Sequence, residues 1–192
     1  MSRNDTVTIV SGLPRSGTSM MMMMLEAGGI EPLCDGVRTA DEDNPKGYYE
    51  FERVKKIKED TAWLDDARGK VVKMISQLLL ELPSDYRYKV VFMRRKIEEV
   101  LASQKQMLIR RGTIKEDGVS DEEMGKMLTM HLQQVLKQMD DRQNAEVLCV
   151  DYNAMLVDAS DSIARINEFL GGDLNTQAMT GVIDKSLYRQ RK

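Results

Sequence analysis

Residues 12–19 read Gly-Leu-Pro-Arg-Ser-Gly-Thr-Ser and follow directly on the apolar run Val7-Thr8-Ile9-Val10. A strand that ends in a glycine-bounded loop and then opens a helix leaves few folds available. Such a loop turns its backbone N–H groups inward, and the helix N-terminus adds partial positive charge, so the unit cradles an anion. The spacing from Gly12 to Gly17 is that of the triphosphate loop G-x-x-x-x-G-K-[ST]. Here Thr18 stands where that lysine would be, and the fixed cation of the loop is Arg15, ahead of the second glycine. The absent lysine is the group that reaches β- and γ-phosphates, so a different anion is expected.

Four short apolar runs read as strands: Val7–Val10, Val71–Met74, Val90–Met93 and Val147–Val150. Helical patterns separate them, and strands alternating with helices imply a parallel sheet covered on both faces. Met20 to Leu25 is apolar all round, so the helix after the loop should be buried. Lys96 to Arg111 reads as a helix with Arg110 and Arg111 in its last turn and Gly112 as its stop. Ser120-x-x-Glu123 is a capping box that opens a long helix to about Asp141, with an apolar stripe through Met124, Met127, Leu128, Leu132, Val135, Leu136 and Met139. A final helix is expected from about Ser160 to Leu170, stopping at Gly171-Gly172. Glu31 to Tyr49 carries Pro32, Gly36, Pro45 and Gly47 and reads as a long loop, a kind of segment that is often functional.

The 192 residues suffice for one domain with a substantial core, and no repeat or linker divides them, so residues 1–192 are read as a single domain. The net charge of -3 gives no indication of nucleic acid. Cys34 and Cys149 are too few for a disulfide framework; Cys149, inside an apolar run, is expected to be a buried thiol in a reducing compartment. The first residues do not read as a signal peptide, and Met20–Leu25 is too short to span a bilayer. A cytoplasmic protein is expected.

Pro14-Arg15-Ser16-Gly17-Thr18-Ser19 resembles the 5′-phosphosulfate loop of sulfotransferases that use 3′-phosphoadenylyl sulfate (PAPS), typically P-[KR]-[ST]-G-[ST]-[ST]. Val91-Phe92-Met93-Arg94-Arg95 followed by Ser103 is similar to that family's 3′-phosphate site, where a strand-ending arginine precedes a helical serine by eight residues; Arg95 has this spacing and Arg94 is off by one. Val147–Val150 with Tyr152 and Leu156, then Ile163 to Gly171, resembles the late strand, turn and helix of the family, and Leu187 to Arg191 resembles a tail of its bacterial members. Asp151 has the apolar-run-then-Asp pattern of a metal-side strand, although any buried strand ends in something polar; the resemblance explains it without a metal.

The resemblance implies a three-layer P-loop α/β fold with a mostly parallel central sheet of about four to five strands and helices on both faces. It further implies a sulfotransferase that moves a sulfuryl group from PAPS to a hydroxyl or amine, with no metal. Gly12, Pro14, Arg15, Ser16, Gly17, Thr18 and Ser19 would hold the 5′-phosphosulfate, Arg95 and Ser103 the 3′-phosphate, and the basic tail, Arg189 in particular, would add a cation. Arg15 would also stabilise charge on the leaving phosphate. Val72-Lys73-Met74-Ile75 resembles the family's V-K-T-H stretch, in which the lysine contacts the reacting centre and the histidine is the base; Lys73 is kept, but Ile75 occupies the histidine position. The base is therefore sought among the carboxylates after the first helix, with Glu50 preferred and Asp43 second. His131, the sole histidine, lies on an apolar helix face one turn from Met127 and Val135 and reads as a packing residue. Two other readings stay open: a P-loop kinase or NTPase that lost its lysine, and a non-catalytic nucleotide-binding protein. The acceptor and the oligomeric state are not legible in the sequence.

Overall fold

A computed structural model describes residues 5–37, 47–113 and 119–184. Among them, four strands form one parallel sheet in the order β2-β1-β3-β4: β1 Thr6–Gly12, β2 Val71–Ile75, β3 Arg87–Arg94 and β4 Ala145–Asp151. All pairings are parallel, with Gly12 opposite both Ile75 and Met93, and Arg94 opposite Asp151. Each expected apolar run forms the centre of one of these strands. A parallel sheet buried on both faces needs apolar side chains at successive positions, and Val7, Ile9, Val10, Val90, Val91 and Phe92 are all fully buried.

The helices are α1 Thr18–Ala27, α2 Trp63–Asp66, α3 Ile97–Arg110, α4 Asp121–Asp140, α5 Tyr152–Val157, α6 Ser160–Leu170 and α7 Thr176–Gly181, with 3₁₀ turns over Glu52–Lys56 and Ser76–Glu81. Two cores flank the sheet. One joins α1 (Met21, Met24, Leu25) to Val10, Val91 and the C-terminal helices through Met155, Ile163, Ile166 and Met179. The other joins Trp63, Leu64 and Leu79 to Val72, Phe92, Val135 and Met139. The P-loop-type α/β layering follows from the alternation of elements.

Several expectations are corrected. The helix to Leu170 is not the last, because α7 follows, capped by Asn175, whose Oδ1 accepts from the N–H of Ala178 at 3.0 Å. Met127 belongs to the apolar stripe of α4 yet is 58% exposed, because only the C-terminal half of this helix, at Val135 and Met139, reaches the core. Cys149 is half-buried rather than buried, and burial pushes its thiol above the usual range. The Ser120–Glu123 capping box forms as expected, with both reciprocal hydrogen bonds in place.

Candidate active site

The strand order sends the chain from β1 towards β2 and from β3 towards β4, in opposite directions. A crevice opens at the carboxyl ends of strands at such a switch point. The loop after β1 and the corner between β3 and α3 border it.

The loop has the form of an anion cradle. Gly12 has φ 149°, and a Cβ there would lie 2.5 Å from Ser16 Oγ and 2.7 Å from the Met93 carbonyl. Gly17, the N-cap of α1, has φ 97°. It carries no capping side chain, and the first turn of α1 contains no acidic residue, so the positive helix end stays directed at the loop. Two loop carbonyls are tied outward: Gln104 Nε2 donates to Pro14 O at 3.1 Å, and Arg95 Nη1 donates to Arg15 O at 3.0 Å. Ser16 is buried, and its Oγ has no hydrogen-bond partner. An orphaned buried hydroxyl inside a glycine-bounded loop fits an anion that would accept from it. Thr18 is buried at the start of α1.

Arg15 has φ 75°, a left-handed conformation uncommon outside glycine and asparagine. Its side chain runs to α3, where Nε donates to Ser103 Oγ at 3.0 Å. Arg95 begins the β3–α3 corner with its side chain 8% exposed, and its Nε pairs at 2.9 Å with Glu99, whose side chain is fully buried. The guanidinium also stacks on the ring of Tyr152, 4.9 Å from the centroid. Asn153 Nδ2 donates to the other Glu99 oxygen at 2.9 Å, and Asn153 Oδ1 accepts from the N–H of Lys96 at 3.2 Å. Arg94, the arginine with the offset spacing, is exposed. Asp151 caps α5, its Oδ1 accepting from the N–H of Ala154 at 2.8 Å.

Lys73 Nζ donates to Ser19 Oγ at 3.0 Å and to the Tyr48 carbonyl at 2.8 Å, so it links the first turn of α1 to the segment that carries Glu50. Tyr49 in that segment has φ 54°, and its hydroxyl donates to Glu26 of α1. Burial, reinforced by this bond, holds the phenol far above its ordinary range. The Glu50 carbonyl accepts from the N–H of Asp35 at 3.2 Å. Val71, Lys73 and Ile75 alternate onto one face of β2 and pass from buried through half-buried to 45% exposed. Ile75 thus emerges beside Gly12 at the mouth of the crevice. His131 shares a 2.9 Å hydrogen bond with the buried Ser76, a contact that docks α4 on the turn after β2. Asp43 and Arg189 lie outside the described residues.

The structure therefore brings Arg95 and Ser103 to Arg15 and Lys73 to Ser19, so that with Gly12, Pro14, Ser16, Gly17 and Thr18 they surround the loop after β1. Sequence reading missed Gln104, Glu99 and Asn153. Glu99 had one usable signal, its position four residues after Arg95, where a helical ion pair forms.

A parallel sheet whose first strand feeds a glycine-bounded anion loop at the switch point defines a P-loop-type α/β protein. More specifically, the chain belongs to the sulfotransferase domain family, which matches residues 5–192, and it is an enzyme of that family. Solved structures with this fold include the sulfotransferase domain of the Synechococcus olefin synthase, at 13% identity and a TM-score of 0.57, covering 98% of this chain and 81% of that one. The sulfotransferase domain of the curacin biosynthetic pathway matches at 12% identity and 0.55, covering 97% and 90%. Retinol dehydratase, solved with androsterone and the inactive cofactor PAP, matches at 17% and 0.52, covering 98% of this chain and 65% of that one. At these identities the likeness is one of fold. No curated protein matches the sequence significantly.

Proposed function

We propose that this chain transfers a sulfuryl group from PAPS to a hydroxyl or amine acceptor, releasing PAP, and that residues 1–192 work as one cytoplasmic domain. Among the described residues no helix is long and apolar enough to cross a membrane, which is compatible with that location. The observation that carries the reading is the orphaned Ser16 hydroxyl inside a loop whose cation is Arg15. PAPS, when bound, supplies a sulfuryl group whose bond to the bridging oxygen breaks as a new S–O or S–N bond forms to the acceptor. In this reading Gly12, Pro14, Ser16, Gly17, Thr18 and Ser19 form the wall around the 5′-phosphosulfate. Arg15 offsets the charge that grows on the leaving phosphate. Lys73, held by Ser19 and Tyr48, stands at the junction of loop and acceptor segment. Glu50, with Asp43 as the second choice, takes the acceptor proton. Arg95 and Ser103 form the corner for the 3′-phosphate, and Arg189 adds a cation from the tail.

Binding and turnover test this. PAP without metal should bind more tightly than ATP with Mg²⁺, and a panel of hydroxyl- and amine-bearing acceptors should give PAPS turnover. Glu50→Gln should remove turnover and leave PAP binding intact. Tighter ATP binding would favour a kinase or NTPase instead. Ile75, 45% exposed at the position of the family's histidine, cannot take a proton, which is why the base is sought at Glu50.

A further inference from the structure

The segment that carries Glu50 is gripped at its backbone by Asp35. After α1 the chain runs along the outer edge of β2. The N–H of Val71 donates to the Glu31 carbonyl at 2.9 Å, the N–H of Leu33 donates to the Val71 carbonyl at 2.8 Å, and Pro32 pairs with Val71 in parallel. Two residues past Leu33, Asp35 reaches across to the returning segment. Its N–H donates to the Glu50 carbonyl at 3.2 Å, and its Oδ2 accepts from the N–H of Glu52 at 2.6 Å. Its Oδ1 accepts from the N–H of Val37 at 3.0 Å, which holds the carboxylate in a turn of its own. Hydrogen bonds to a carboxylate are about twice as strong as neutral ones. On the other side of Glu50, Lys73 donates to the Tyr48 carbonyl at 2.8 Å, and past it the ring of Phe51 meets that of the buried Trp63 edge-on, 5.7 Å between centroids.

We infer that Asp35 is a positioning residue for proton removal from the acceptor: it fixes the backbone at Glu50 and at Glu52 and ties both to β2, the strand that also carries Lys73. This rests on the reading of Glu50 as the base and adds to it. Both Asp35 oxygens are engaged by main-chain N–H groups, so Asp35 acts through Glu50 and not on the acceptor itself. A base must lie within hydrogen-bond reach of the proton it takes, and a misplacement of about 1 Å can cost about a hundredfold in rate. Asp35 thus joins the strand-like stretch at 31–33 to the return at 48–52, and the distance from Glu50 to the reacting centre is set there. The grip uses only main-chain atoms of residues 50 and 52, so Glu50→Gln removes the base and leaves the grip in place.

Amide exchange and steady-state kinetics on the full chain, with PAPS and the hydroxyl- and amine-bearing panel, test this. Asp35→Ala should speed exchange at the Val37 and Glu52 amides about tenfold or more, with exchange in β2 unchanged. It should lower kcat by about ten- to a hundredfold and leave the KM for PAPS and the dissociation constant of PAP within about twofold of wild type. Asp35→Asn keeps one carbonyl oxygen that accepts from the N–H of Glu52, and should hold kcat within about fivefold of wild type. Wild-type kcat or unchanged Glu52 exchange in Asp35→Ala, a loss of PAP affinity that matches the loss of kcat, or an asparagine variant as slow as the alanine one each overturns the positioning role alone. The parent reading fails differently. Turnover of no acceptor by the wild-type chain overturns sulfuryl transfer, wild-type kcat in Glu50→Gln overturns Glu50 as the base, and the role of Asp35 falls with either.

Discussion

Gly17 sets the tightest single-residue limit on the site. A Cβ there would lie 2.3 Å from Cδ2 and 2.8 Å from Cε2 of Tyr152, and the backbone φ is 97°. Either condition alone opposes a side chain, and here the obstacle is the face of a ring already stacked against Arg95. Gly17→Ala should therefore displace the loop from its floor. PAP affinity should fall by about a hundredfold or more, measured by titration, with the sheet retained by circular dichroism. The importance of Gly17 is visible in the chain itself, because loop glycines act over a few residues. Its reason is not visible: Tyr152 arrives from the far side of the sequence. Glu99 is harder still to read. Beside Glu98 it looks like an ordinary acid in the first turn of a helix, and only the folded chain brings Asn153 to its second oxygen, 54 residues away.

Among the elements, α4 joins a local signal to a tertiary surprise. Its start was legible because a capping box is complete within four residues. The Ser120 hydroxyl and backbone hydrogen bonds hold the Glu123 carboxyl below its usual range. A depressed folded value means that the cap stabilises α4 at neutral pH and is lost as pH falls through that value. Amide exchange in the first turn of α4 should accordingly accelerate on acidification, and Ser120→Ala should weaken that dependence without abolishing it, because the backbone N–H of residue 120 still donates to the Glu123 carboxylate. The side-chain stripe beyond the cap was less legible. Periodicity identifies an apolar face but not which of its positions a partner covers: Met124 and Leu128 are half-buried, whereas Met127 and Met130 are 58% and 68% exposed. Short elements such as α2, α5 and α7 escaped detection because four to six residues carry too little periodicity to separate them from loops. The strands were the opposite case: continuous apolar runs between polar helices have no other economical burial.

At the scale of the molecule, the order β2-β1-β3-β4 places the two strands that feed the crevice at the centre of the sheet. A ligand bound there touches elements from both halves of the chain and should stabilise the whole fold. At a PAP concentration a hundredfold above its dissociation constant the gain is about 2.7 kcal/mol, which thermal melting should register as a rise of roughly 5–10 °C. A smaller rise for Arg15→Gln at the same concentration would follow from its weaker binding. The Tyr152 ring beneath Gly17 carries a further consequence, one of time rather than of space. The loop lies near the beginning of the chain, but its floor and the Asn153 brace belong to residues synthesised some hundred and thirty positions later. Contacts of such long separation form late. During synthesis the first strand and its glycine loop therefore emerge from the ribosome as an unfinished cradle, and nucleotide recognition becomes possible only once the fourth strand has docked.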